Sequence, residues 1–272
     1  MFEEISTQAD KLVSLTQSHQ IKNSKTKVIT ITSGKGGVGK STLTSNMAYL
    51  LSKKGKKVAI FDADIGLANL QVIFDLKPTY TLYDYLDGKC ELNDIFTDTG
   101  INNLTLIAGK SGYQYTSSHT NMVFASLVSK IVNLDRFDIV LIDTGAGLSG
   151  DVQEFLEITD NIVAVTTTDP SALTDVYALL KMVSLKKEKL FLCFNHTAKY
   201  ETGETITKSL KNLALKNKLN RKFMVQYIGN VSEEKGIAIS GRLRKLFAKE
   251  LKEKSSTHEL RSIVDNLLDL ID

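Results

Sequence analysis

The sequence predicts an α/β fold in which a mainly parallel β-sheet is covered by helices on both faces. Three observations predict it. Short apolar, β-branched runs alternate with helix-period patterns along the chain, as strands joined by helical crossovers do. One run, Ile139-Val140-Leu141-Ile142, is apolar throughout, which is how a strand buried on both faces reads. A glycine-rich stretch, Ser33-Gly34-Lys35-Gly36-Gly37-Val38-Gly39-Lys40-Ser41-Thr42, lies between the first apolar run and the first helical pattern. That is the setting of a phosphate-binding loop.

Composition sets the outer bounds. At 272 residues, 42% hydrophobic and 24% charged, the chain is an ordinary globular one with room for a substantial core. A net charge of +3 is too weak to imply a nucleic-acid partner. Cys90 and Cys193 sit in no ligand motif and read as core or surface thiols in a reducing cytosol. The four histidines have no metal-binding spacing. The opening Met1-Phe2-Glu3-Glu4 leads into no apolar region, so no signal peptide is expected. No apolar run approaches the length of a membrane span.

The elements follow in order. Phe2, Ile5, Ala9, Leu12 and Val13 share one face at helical spacing and predict a short amphipathic helix over 2–15. Residues 16–26 are polar and read as a linker, so the chain divides into 1–26 and a main domain over 27–272. The helix either packs back on the body or docks on a partner. Val28–Thr32 is the first strand. In the loop after it, glycines let the backbone aim N–H groups at an anion, and the next helix adds its positive end. Lys40 is placed to reach β- and γ-phosphates, and the Ser41 hydroxyl to ligate Mg²⁺. Residues Gly34 to Thr42 are therefore the candidate nucleotide-binding set.

Leu43, Met47, Leu50 and Leu51 continue that helix until Gly55. A second strand, Val58–Phe61, runs into Asp62 and Asp64, which lie beside the crevice at the carboxyl end of a parallel strand. Residues 81–88 read as a short helix ending at glycine, 104–109 as a strand, 110–119 as a loop and 120–133 as a helix. Ile139–Ile142 closes on Asp143, the Walker B arrangement, where the carboxylate holds Mg²⁺ through water. Thr144-Gly145-Ala146-Gly147 is flexible enough to sense a γ-phosphate. Asn161–Thr166 is a strand, Ser171–Val183 a helix opened by Pro170, and Leu190–Asn195 a further strand. Asn195 can either read an adenine edge or cap its strand. Residues 205–222 carry lysines and arginine without an acid: a solvated helix face, or a patch for an anionic partner. After a last strand at 225–229, the basic segment 242–254 contains Leu243, Leu246, Phe247 and Leu251. It reads as either core or a surface for anionic lipid. Leu260, Ile263, Val264, Leu267, Leu268 and Ile271 predict a closing helix packed on the domain.

The lysine at position 35 and the form Lys35-Gly36-Gly37-Val38-Gly39-Lys40-Ser41-Thr42 resemble the deviant Walker motif of the MinD/ParA ATPases. The resemblance covers about residues 27–271. It implies a MinD-like P-loop NTPase fold, ATP and Mg²⁺ as cofactors, ATP hydrolysis, and an ATP-dependent homodimer in which Lys35 reaches the partner's nucleotide. Asp62-Ala63-Asp64-Ile65-Gly66-Leu67-Ala68-Asn69-Leu70 resembles the family's second acidic motif. The match assigns Asp62 to the water shell of Mg²⁺ and Asp64 to orienting the attacking water. It also points Asn195 toward adenine. Lys35, Lys40 and Asp64 are thus the catalytic candidates, and Ser41, Asp62 and Asp143 the metal candidates.

Asp143–Ser149 and Leu173–Lys181 resemble the FlhG-type branch of flagellar-number regulators. In Thr7-Gln8-Ala9-Asp10-Lys11-Leu12-Val13, residues Gln8, Ala9 and Leu12 match that branch's GTPase-activating motif. This implies an FlhF-type GTPase as partner through residues 2–15, with flagellar C-ring proteins or a transcription regulator as further partners. The implied location is the cytoplasm, peripheral on an anionic membrane surface. The other functional reading is a partitioning or division-site ATPase acting through non-specific DNA or membrane binding.

Overall fold

β-Branched and aromatic residues concentrate in short runs, and these become strands. They are β1 (Lys27–Ser33), β2 (Val58–Ala63), β3 (Phe96–Asp98), β4 (Leu104–Ile107), β5 (Ile139–Ala146), β6 (Asn161–Thr166), β7 (Lys189–Asn195) and β8 (Met224–Val231). The computed structural model describes residues 21, 24–64, 67–111, 123–197, 199–217, 219–220 and 222–271. The strands form one sheet in the order β3-β4-β2-β5-β1-β6-β7-β8. β3 alone runs antiparallel to its neighbour, pairing with β4; the other pairings are parallel. The chain leaves β1 toward β2 on one side and later crosses from β5, past β1, to β6. The carboxyl end of β1 is therefore the switch point where an open α/β sheet binds its ligand.

The helices are α1 (Lys40–Lys53), α2 (Leu70–Ile73), α3 (Leu82–Leu86), α4 (Val123–Asn133), α5 (Gly150–Ile158), α6 (Pro170–Val183), α7 (Tyr200–Lys216), α8 (Lys235–Arg242), α9 (Phe247–Glu250) and α10 (Ser255–Ile271). Successive strand residues point to opposite faces, and the cores follow that alternation. Ile29, Ile31, Ile60 and Leu141 meet Leu43 and Met47 of α1 and Leu260 and Ile263 of α10. Val28, Phe61, Val140 and Ile142 meet Phe124 of α4 and Phe155 of α5 on the other face. Along that same face Ile162, Leu190 and Leu192 meet Leu179 of α6 and Leu210 of α7. Both faces are thus covered, as expected.

The predicted helix over 2–15 and most of the loop at 110–119 lie outside the described residues. Of the polar stretch 16–26, Ile21 is buried in the cluster that holds Val28 and Ile158. Thr26 Oγ1 donates to the Phe137 carbonyl at 2.7 Å. Among the elements with no counterpart in the sequence reading are the short helix α2 and the helix α8, and two more lie near the crevice side and the sheet edge. α5 follows the glycine-rich end of β5, and β3 adds a three-residue edge strand.

In 242–254, read as either core or a lipid surface, Leu246 and Phe247 take the core place. α8 stops at Arg242, and Arg244 turns the chain with φ +54°. That turn sends Leu246 and Phe247 into the core, where they are 4% and 1% exposed. The Ala248 N–H then donates to Asn46 Oδ1 of α1 at 2.8 Å. Leu246 and Phe247 are thereby withdrawn from any lipid surface, while Leu243 before the turn is 61% exposed. The lysines of α7, Lys208, Lys211 and Lys216, are exposed, while Leu210 and Ala214 face inward. Among the described residues no helix is long and apolar enough to cross a membrane.

Glu154 of α5 shows how burial creates a pH dependence. Its Oε1 accepts the N–H groups of Phe124 and Ala125, at 3.1 and 3.0 Å, at the start of α4. Burial pushes its carboxyl up to about 7 from 4.5, against the pull of those two N–H groups. A raised acid favours folding below its unfolded value, and that contribution is lost as pH rises through the folded one. The wild type should therefore lose on the order of 3 kcal/mol between about pH 4.5 and pH 7 from this group. Glu154→Gln keeps the acceptor and cannot ionise. Its stability relative to wild type should rise across that window and level off above it, as read by denaturant unfolding at several pH values. A difference that does not change with pH would remove Glu154 as the cause.

Candidate functional site

The loop after β1 wraps the amino end of α1. Gly39 precedes that helix with φ +86°, and no side chain caps the helix there. The first turn contains no acid. Four backbone N–H groups of such a turn have no intrahelical acceptor, and the helix dipole adds positive potential, so the end is built for an anion. Gly37 is also left-handed, with φ +82°. A Cβ on Gly39 would meet Asn195 Nδ2 at 2.2 Å, so position 39 has neither the conformation nor the room for a side chain.

Lys40 opens α1 and lies inward, 7% exposed. Its Nζ is 2.8 Å from Asp143 Oδ1 and 3.3 Å from Ser41 Oγ. Thr44 Oγ1, one turn further along α1, also donates to Asp143 Oδ1, at 2.9 Å. Asp143 is 1% exposed, and its other oxygen, Oδ2, is buried without a hydrogen-bond partner. An orphaned carboxylate oxygen beside an anion cradle fits a cation's water shell. Mg²⁺ keeps several waters and needs few carboxylates, so the residues present fit that ion.

Asp62 stands opposite Asp143 in the β2–β5 register. Its oxygens accept the N–H groups of Asp64, Asn69 and Leu70 at 3.3, 2.9 and 2.9 Å, folding the chain after β2 back onto the strand end. Burial, and then the Asp143 carboxylate, push its carboxyl up to about 7. Asp64 is partly exposed; its Oδ1 accepts the Leu67 N–H at 3.1 Å. It faces Gly145, where a Cβ would lie 3.7 Å from Asp64 Oδ1. The two aspartates thus do different things: one holds the loop closed, and the other is free to turn toward the crevice.

Two sequence candidates are engaged by partners the sequence reading did not foresee. Asn195, at the end of β7 and 5% exposed, donates its Nδ2 to the Val38 carbonyl at 2.9 Å. Lys35 donates its Nζ to Ser171 Oγ, and Ser171 donates to Asp169 Oδ1. Asp169 is the N-cap of α6, accepting the Ser171 and Ala172 N–H groups. The Ser171 hydrogen bonds, with Lys35 nearby, hold its carboxyl below the usual range. Beside them, a Cβ on Gly34 would meet the Asp175 backbone at 2.6 Å, so the loop lies directly on α6. An Asp-Pro pair ahead of a helical pattern signals a capped helix start, but nothing local in it signals a lysine. Thr44 was likewise missed, although its place four residues after Lys40 puts both on one helix face.

The structure brings Gly34–Thr42, Asp62, Asp64, Asp143 and Asn195 to one end of the sheet around β1. The family model described as an AAA domain matches residues 26–196. The flagellum site-determining protein YlxH of Helicobacter pylori is 40% identical over 228 residues, covering 82% of this chain and 76% of that protein. The antiactivator FleN of Pseudomonas aeruginosa is 35% identical over 158 residues, 58% of this chain and 56% of FleN. In fold, the septum site-determining protein MinD from Pyrococcus horikoshii OT3, solved in complex with Mg-ADP, superposes with a TM-score of 0.72. That match is 23% identical and covers 90% of this chain and 97% of that one. With its deviant phosphate loop, its sheet order and relatives matching most of its length, the chain belongs to the MinD/ParA family of P-loop ATPases, in the branch of YlxH and FleN.

Proposed function

We propose that the chain binds ATP with Mg²⁺ at the amino end of α1, dimerises in that state, and uses hydrolysis to regulate flagellar number or placement. The observation that carries the nucleotide reading is the uncapped, acid-free first turn of α1 with a buried lysine inside it. Before nucleotide arrives, Lys40 neutralises Asp143; the same ammonium then serves the β- and γ-phosphates. Ser41, with Asp62 and Asp143 through water, would hold Mg²⁺, which when bound supplies positive charge against the phosphates. Asp64 orients the attacking water. Asn195 offers its carbonyl oxygen to the adenine amino group, with one of its two N–H groups given to the Val38 carbonyl. Lys35 leaves Ser171 and crosses to the second protomer, where a positive charge meets developing phosphoryl charge.

Kinship with YlxH and FleN supports the flagellar output. The proposed location is the cytoplasm, peripheral at the membrane. An FlhF-type GTPase is the proposed partner of residues 2–15, with Gln8 as its polar contact. The test is a chromosomal Lys40→Ala strain, with flagella counted and located by electron microscopy. An altered number or position is expected. Normal flagellation, with ATP binding lost in the purified variant, would overturn the flagellar role and leave the ATPase standing. The exposed lysines of α7 favour a second reading, partitioning through non-specific DNA contact; binding that falls steeply with salt would support it.

A further inference from the structure

The last turns of α5 and α6 leave an apolar groove of about 210 Å³ between them. Leu156, Met182, Val183 and Leu185 form its walls, and Gln153 and Lys186 its rim. Leu185 beside it is 79% exposed, more than any other large apolar residue among those described. Leu156, Val183 and Met182 belong to the core cluster beneath, so the groove is continuous with packed interior.

The route of the chain says what covers it. The chain meets the described body at Ile21, which is 5% exposed and lines a small cavity with Ile158 and Asp160. Asp160 pairs with Lys187 at 3.0 Å, and Lys187 also donates to the Glu157 carbonyl at 2.7 Å. Glu157 and Lys187 both line the groove. The point where the N-terminal segment joins the body is therefore one ion pair from the groove. Residues 14–20 reach about 25 Å when extended, ample to bring the apolar positions Phe2, Ile5, Ala9 and Leu12 back over it. Lys186 on the rim already pairs with Glu157, so the rim is neutralised and what the groove offers the segment is its apolar floor.

We propose that residues 2–15 dock their apolar face into this groove of the same chain, an intramolecular cover that withholds the segment from other partners. α5 and α6 make such a cover sensitive to nucleotide. α5 follows Gly145–Gly147 at the crevice, and α6 begins at the Asp169 and Ser171 that hold Lys35. A nucleotide that draws Lys35 away acts on a helix whose far end is a wall of the groove. The inference does not depend on which partner the segment meets, nor on the flagellar role.

The chain contains no tryptophan, so Phe2→Trp installs a single reporter. Its emission should be blue-shifted and protected from acrylamide, and independent of protein concentration. Adding Leu185→Glu should shift it to the water-exposed wavelength and restore quenching. Leu243→Glu, at another exposed apolar position just after α8 (61% exposed), should leave it unchanged. Leu12→Trp repeats the reading from a second position, should the indole introduced by Phe2→Trp itself disturb docking. Water-exposed emission from both reporters would overturn the proposal. So would protection that survives Leu185→Glu, which places the segment elsewhere, or protection lost on dilution, which gives the groove to a second copy.

Discussion

Lys40→Ala is expected to abolish ATP binding and, separately, to destabilise the nucleotide-free fold by about 3–5 kcal/mol. The first effect follows from the loop, which loses the only ammonium lying inside its cradle among the described residues. The second follows from Asp143. Its carboxylate is buried, Lys40 sits 2.8 Å from one oxygen, and the other oxygen has no hydrogen-bond partner. Removing the lysine leaves an uncompensated charge whose remaining hydrogen bond among the described residues is the one from Thr44. Such a loss is a large part of the total stability of a domain. The double variant Lys40→Ala/Asp143→Ala removes both charges. It should recover most of the stability in denaturant unfolding and none of the ATP affinity in calorimetry. Undiminished ATP affinity in Lys40→Ala would remove the loop from the site. A double variant as unstable as the single one would mean that packing of the lysine stem, not charge, carries the cost.

Asp64→Ala is expected to bind ATP normally and to hydrolyse it about 10²–10⁴-fold more slowly, the range for loss of a positioned acid–base group. The geometry makes this a clean variant. Asp64 is partly exposed and accepts one N–H, from Leu67, whereas Asp62 carries the contacts that close the loop. Removing Asp64 therefore spares the phosphate cradle and the loop together. With hydrolysis slowed, the protein should accumulate as an ATP-bound dimer in sizing experiments. Adding Lys35→Ala should reduce that dimer, because Lys35 is proposed to reach the second protomer. Adding Ser171→Ala should have the opposite sign: it removes the hydroxyl that holds Lys35 to its own α6 and frees the ammonium to cross. An Asp64→Ala protein that stays monomeric with ATP would sink the switch. A Ser171→Ala addition that weakens the dimer would show that the Lys35–Ser171 contact belongs to the dimer rather than opposing it.

Local chemistry was readable without coordinates wherever one short stretch carries the whole device. Glycines with a following Lys-Ser-Thr make a phosphate loop from neighbouring residues alone. An apolar strand ending in Asp143 places that carboxylate at the carboxyl end of the sheet by strand geometry alone. Periodicity likewise located α1, α4 and α10, and Pro170 the start of α6. The partners of those groups were not readable, because they come from strand order. Asn195 meets Val38 across 157 positions because β6 and β7 are laid down on the far side of β1. Lys35 meets Ser171 across 136 positions for the same reason. An amphipathic pattern states that a face is apolar and not what covers it. Leu246 and Phe247 have the spacing of a membrane-binding face, yet the turn at Arg244 points them at α1. Leu185 has no special spacing and is 79% exposed on the described body. Glu154 looks like an ordinary helix-surface acid, yet the packing of α5 against α4 buries it beneath two backbone N–H groups. Sequence spacing sets which side chains share a surface, while burial, charge pairing and pKa depend on the second surface, which tertiary packing supplies.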